Sequence, residues 1–142
     1  MNDDFSRILG VDYGSVRIGL ALSDPLRIIA QGLKTIQNTT HAWKEIAAIV
    51  EEHNVSCIVV GKPLNLSGTD SAKSAEVDEF VKKLRQETAA DIVMVDERFT
   101  SVMAQKSIIQ MGARKKQRQN KGKIDEVASA ILLQGYLDSL KR

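Results

Sequence analysis

The hydrophobic period of this chain first turns from strand-like to helical near residue 39, and that change limits the folds open to it. Up to residue 36 the apolar residues come in short runs rich in Ile, Leu and Val, at Arg7–Tyr13, Arg17–Ser23 and Ile28–Ile36, the last interrupted by Gln31-Gly32. Such runs predict three consecutive strands, the first two forming an antiparallel hairpin across Gly14-Ser15-Val16. From Thr39 or Thr40 the spacing becomes helical, with Trp43, Ile46, Ala47, Ile49 and Val50 on one face, a threonine cap and a stop near His53-Asn54. Cys57–Gly61 is continuously apolar, as a strand covered on both faces should be. A second helix is expected from Ser71 or Ser74 to about Thr88, a fifth strand over Ile92–Val95, a third helix from Thr100 or Ser101 to Met111-Gly112, and a last one with the stripe Ile124, Val127, Ala128, Ile131, Leu132 and Leu140, extended by Tyr136 and Leu137. Three strands followed by alternating helices and strands make an α/β protein, a mixed sheet flanked by helices.

With 142 residues the chain suits one domain, 1–142, and is too short for two lobes around a cleft. No uncharged stretch is long enough to cross a bilayer, and the acidic start Met1-Asn2-Asp3-Asp4 is unlike a secretory signal, so a cytoplasmic location without membrane contact is expected. Cys57, the one cysteine, excludes an internal disulfide and a thiolate-rich metal site. His41 and His53 have no ligand-like spacing.

Three acids occupy suggestive places. Asp12 ends the first strand between Gly10 and Gly14, Glu97 follows the fifth strand, and Asp125 falls in the expected first turn of the last helix. If strands one, four and five are parallel neighbours, their carboxyl ends cluster and that helix can lean over them. Carboxylates so close would repel one another without cations, so the cluster implies Mg²⁺ or Mn²⁺ and metal-assisted phosphodiester hydrolysis. Asp12, on a rigid strand, is the best candidate to touch two ions, with Glu97 and Asp125 on one each. For Asp125 the positive end of a helix dipole offers a structural alternative. Asp96 and Glu126 are disfavoured, because neighbours on a strand or helix diverge in direction.

The net charge is +2, but Arg114, Lys115, Lys116, Arg118, Lys121 and Lys123 bring six basic residues into ten positions without an acid. The rest of the chain is net acidic. A basic patch beside an acidic site suits an enzyme acting on a polyanion. The segment 113–123 shows no buried period and is expected to be a flexible basic loop that meets nucleic acid, the alternative being a solvated linker. Arg17 and Arg98 could each clamp a phosphate or pair with a nearby acid, and Lys62, Asn65, Ser67 and Thr69 could contact the backbone from the loop after the fourth strand. Trp43 is the only tryptophan, and most other aromatics are claimed by packing, which leaves base stacking thinly supported.

Four blocks now carry a likeness: Gly10-Val11-Asp12-Tyr13-Gly14 with Arg17-Ile18-Gly19-Leu20-Ala21 and Ser23-Asp24; Val60-Gly61-Lys62-Pro63 with Gly68; Asp96-Glu97-Arg98-Phe99-Thr100-Ser101 with Ala104; and Lys123-Ile124-Asp125 with Ala128 and Ala130-Ile131-Leu132. In this order, over about residues 7–140, they resemble the bacterial YqgF, or RuvX-like, family. The resemblance implies a ribonuclease H-like fold with a five-stranded mixed sheet ordered 3-2-1-4-5, a divalent-metal-dependent nuclease, and Asp12, Glu97 and Asp125 as its three catalytic acids. It further implies either maturation of the 5′ end of pre-16S rRNA, favoured here, with the ribosome or its precursors as partners, or resolution of branched Holliday-junction DNA. Junction resolution needs two coordinated active sites, and the sequence shows no dimer surface.

Two other readings compete. The block Gly10–Gly19 also resembles the first phosphate loop of actin-like ATPases, but those need a second lobe that this length cannot supply. A catalytically silent RNA-binding or ribosome-assembly factor would use the basic segment alone.

Overall fold

The computed structural model describes residues 5–62, 72–96 and 121–140. Five strands, β1 (Arg7–Asp12), β2 (Arg17–Ser23), β3 (Ala30–Gln37), β4 (Val55–Lys62) and β5 (Asp91–Asp96), form one sheet in the order β3-β2-β1-β4-β5. The pairs β1·β2 and β2·β3 are antiparallel, and β1·β4 and β4·β5 are parallel. Among the described residues three helices accompany it: α1 (Ala42–Glu52), α2 (Ala72–Glu87) and α3 (Lys121–Ser139). The helix expected from Thr100 or Ser101 to Met111 lies outside the described residues, as do Arg114, Lys115, Lys116 and Arg118.

Each face of the sheet is claimed by different helices. Alternation along β1 sends Leu9 and Val11 into a core with Ile46 and Ile49 of α1 and Val77, Phe80 and Leu84 of α2. Ile8 turns the other way, to Leu133 and Leu137 of α3, with Ala21 and Val59. Coverage from both sides is why β4 is apolar throughout Cys57–Gly61.

The hairpin turn needs glycine at position 14, where an added Cβ would lie 2.3 Å from the Arg17 carbonyl oxygen. Gln31-Gly32 does not interrupt β3. The pairing steps from Leu20↔Lys34 to Ala21↔Gly32, so Leu33 is an extra residue, and this bulge absorbs the irregularity. Thr39 and Thr40 do not cap α1. Its cap position is His41, whose side chain makes no capping bond, while the Thr39 hydroxyl accepts from the His41 N–H at 3.2 Å and closes a turn before the helix. Asn54, at φ 54°, takes the chain out of α1.

The last helix differs from expectation at both ends. It starts at Lys121, so Lys121-Gly122-Lys123 belong to its first turn instead of to the basic loop. Lysine is a good helix former, and one glycine in a first turn is tolerated. Its fully buried residues are Ser129, Leu132, Leu133 and Leu137, while Leu140 is 51% exposed. The face that packs is set by glycines in the sheet, described below, and not by the most apolar stripe. Among the described residues no helix is long and apolar enough to cross a membrane.

The loop from β2 to β3 is built on Asp24. Its Oδ1 accepts from the Ile28 and Ile29 N–H groups at 2.7 and 2.8 Å, and its Oδ2 from that of Leu26 at 3.1 Å. These bonds, led by that of Ile29, hold its carboxyl below the usual carboxylate range against the opposing effect of burial. The loop also holds Arg27 at φ 60°, its guanidinium bonded to Ser6 and Ser56. A lowered folded-state pKa gives stability that is present above the ordinary value of 3.8 and lost as pH falls through the folded one. Asp24→Ala should therefore lower the melting temperature at pH 7 by roughly 2–5 °C. Calorimetry across pH checks this, and the gap from wild type should close in acid.

Candidate functional site

Asp12 is the last residue of β1 and half-buried. Alternation from Ile8 and Gly10 gives it the α3 face. Its register partner across the hairpin is Gly19 of β2. A Cβ on Gly19 would lie 2.2 Å from the backbone oxygen of Asp125 and 3.0 Å from its Cβ, so the backbone of α3 rests directly on β2 there. Asp12 and Asp125 are thus brought to one face, on either side of a residue that has no side chain.

Glycine repeats this role nearby. Gly10 receives Leu133 and Ser129, and Gly32 receives Glu126. The Ser129 hydroxyl donates to the Gly10 carbonyl at 2.9 Å in a buried contact, which fixes the register of α3 along β1. Asp125, Ser129 and Leu133 recur every four residues, the spacing of one helical face. Glycines within strands, Gly10 and Gly19, mark places of close approach in the sequence itself, whereas Ser129 is marked only by its four-residue spacing from Asp125 and Leu133.

Because α3 begins at Lys121, Asp125 lies beyond its first turn, where the helix dipole has little hold. Its carboxylate is met by a side chain instead: Arg17 Nε donates to Asp125 Oδ2 at 3.0 Å, with the two side chains 30% and 26% exposed. Of its two expected roles Arg17 takes ion pairing, with Asp125 as the partner in place of an acid near it in sequence.

Lys62 is elsewhere. It ends β4, opposite Asp96 of β5 in register. Its Nζ pairs with Asp78 of α2 at 3.1 Å, on the sheet face away from Asp12. Glu97, Asn65 and Arg98 lie outside the described residues, and Lys121 and Lys123 are described only as backbone of α3. Among the described residues no three His, Cys, Asp or Glu side chains group as a metal site. Asp12 and Asp125 supply two hard oxygen donors, the type that Mg²⁺ and Mn²⁺ prefer.

Cys57, at the end of the sheet remote from Asp12, lies beside Tyr136, and burial, reinforced by Asp91, pushes its thiol up.

Comparison with known proteins agrees with this architecture. The family described as "RuvX: Holliday junction resolvase" matches residues 6–139. Proteins carrying the name "Putative pre-16S rRNA nuclease" are similar over nearly their whole length: that of Clostridium tetani is 44% identical, covering 94% of this chain and 97% of the relative, and that of Phocaeicola vulgatus is 42% identical, covering 96% and 98%. Among solved structures, Thermus thermophilus RuvC in complex with Holliday junction substrate superposes with a TM-score of 0.63 at 12% identity, covering 96% of each chain. The Fowlpox virus resolvase with Holliday junction DNA gives 0.61 at 14%, covering 96% of this chain and 99% of that one. At such identities the likeness is one of fold, and the fold is ribonuclease H-like.

The contact at Gly19 makes a ranked prediction. Gly19→Ala meets backbone at 2.2 Å, whereas Gly10→Ala meets the Leu133 Cβ at 2.9 Å and the Ser129 backbone oxygen at 3.2 Å, a smaller overlap. Urea unfolding should show Gly19→Ala losing about 2–3 kcal/mol and Gly10→Ala about 1 kcal/mol. Equal losses, or the reverse order, would mean that α3 does not rest on β2 as described.

Proposed function

We propose that this chain, which belongs to the RuvX family, is a divalent-cation-dependent nuclease that cuts the 5′ end of pre-16S rRNA. The single observation that carries the reading is the seating of Asp125 on Gly19, the strand partner of Asp12, which gives two carboxylates a common face. The names of the curated relatives supply the substrate.

Asp12 and Asp125 would hold the cation, Mg²⁺ or Mn²⁺, with Glu97 as the third donor. A cation so held supplies Lewis acidity and neutralises charge that develops on the phosphodiester. The remaining work belongs to the chain. Asp12, fixed by the pairing of β1 on both sides, keeps its carboxylate in one place. Ser129 prevents α3 from sliding, and so fixes Asp125 relative to Asp12. Arg17, with Nε committed to Asp125, turns its terminal amino groups to a phosphate oxygen of the substrate strand. The basic run 114–123 attracts the polyanion and sets its path without reading bases. Arg98 and Asn65 add backbone contacts in the same reading, and precursor ribosomal particles follow as the partner. Lys62 contributes less than its position at the end of β4 suggests, because Asp78 already pairs with it.

The family description favours a second substrate, the four-way DNA junction. Cleavage of matched pre-16S leader RNA, duplex RNA and four-way DNA distinguishes the two. Leader RNA should be cut best with Mg²⁺ or Mn²⁺, and Asp12→Asn should abolish cutting while leaving affinity within about twofold. Retained cleavage by a contaminant-free Asp12→Asn preparation would sink the mechanism; cutting of the junction alone would replace the substrate; binding without cutting would leave an RNA-binding factor.

Neutralising Lys115, Lys116 and Arg118 together should weaken binding and reduce the slope of log affinity against log salt by about 2–3. A filter-binding titration over salt measures it, and an unchanged slope would make the segment a solvated linker.

A further inference from the structure

A cleft of about 430 Å³ opens at Tyr13, just past the end of β1, on the sheet face away from Asp12 and Asp125. Tyr13 follows Asp12 directly, so the two side chains leave β1 toward opposite faces of the sheet. Tyr13 packs on Phe80 with ring centroids 5.0 Å apart, and both rings are almost fully buried. Trp43 of α1 also lines the cleft; it is only half-buried and carries Lys83 Nζ 4.9 Å from its ring centroid. Lys83 is exposed. A cation over a solvent-exposed ring is held weakly, and a stacked base is the stronger partner for a tryptophan.

The charges at the rim decide what can enter. Glu76 and Glu79 stand against the one ammonium of Lys83, so the cleft repels a phosphate. A neutral ring is not repelled, and the rim offers it acceptors. Asn38 spends its amide N–H on the Gly14 carbonyl at 2.8 Å, which leaves its Oδ1 to accept. The Glu79 carboxylate accepts as well, and Ser15 ties the hairpin turn to Glu76 at 3.2 Å, which holds the two sides of the cleft together. Carboxylate and amide oxygens match a base edge that presents donors, and guanine, with N1–H and N2–H₂, presents most. The size lies within the range of small-molecule sites, and apolar walls with a few polar groups are their usual lining.

We propose that this cleft receives one unpaired base of the substrate strand, guanine by preference, next to the phosphate held at Asp12 and Asp125. The proposal rests on the nuclease reading above and narrows its substrate to nucleic acid with a single-stranded nucleotide beside the cut. A strand crossing the end of β1 keeps its backbone on the basic and metal-holding face, away from the acids of the cleft mouth, and turns one base over the rim. Base pairing would prevent that turn, because the edge read in the cleft is the edge used in a duplex.

Trp43 is the only tryptophan of the chain, so its fluorescence reports this cleft alone. The test uses the full-length Asp12→Asn protein with Mg²⁺ and a short dye-labelled single-stranded RNA carrying one guanine, following dye anisotropy and tryptophan emission in parallel. Emission should fall along the same curve as anisotropy rises, a guanine-to-uridine change should weaken both, and Trp43→Ala should weaken binding about tenfold. Trp43→Phe, which keeps a ring and the packing, should retain most of the affinity. Anisotropy that rises while emission stays constant would overturn the cleft and leave the nuclease reading standing. Equal quenching by the same sequence as a duplex would overturn the unpaired base. No binding of either RNA would overturn both.

Discussion

The approach of α3 to the sheet is the contact on which the functional end of this protein depends. A helix normally rests on a sheet through a layer of side chains, but at positions 10, 19 and 32 that layer is missing on the sheet side. The helix backbone then comes down onto strand backbone, and a carboxylate one residue wide is carried to the level of Asp12. Burial of Leu133 and Leu137 supplies the driving force, and the Ser129 hydroxyl on the Gly10 carbonyl turns close approach into a single register. Glycine costs conformational entropy in a strand. Here that cost stands against the whole packing of the final helix.

The two faces of the sheet divide the work. On the α3 side, near the carboxyl ends of β1 and β4, sit charges that would be costly if left unpaired, Asp12, Asp125 and Arg17, all partly exposed. On the α1 and α2 side lie the larger apolar core and the aromatic cluster of Tyr13, Phe80 and Trp43. Lys62 illustrates the division. It comes from the same sheet end as Asp12, but its parity turns it to α2, and there Asp78 takes its charge.

Much of this was legible in the sequence, for reasons that differ by element. The strands β1, β2 and β4 were plain because burial on both faces leaves continuous apolar runs, and the order of the sheet followed from the family likeness, which the observed topology matches. β3 was read as broken because a bulge at Leu33 can be told from a break only through its partner strand. The first turn of α3 was missed because Lys121-Gly122-Lys123 has no apolar period, and a helix end in a charged run leaves none to see. Of the site, Asp12 and the close-approach glycines could be read locally. The pairing of Arg17 with Asp125 could not, since 108 residues separate them and either could have found a nearer partner.

That long-range pair has a consequence for how the molecule comes into being. A nascent chain must bring two like charges together before any external ion is guaranteed, and Arg17 furnishes an internal counter-ion that arrives with the hairpin itself. The two acids are thereby brought to one face with one of their charges already offset from within the chain.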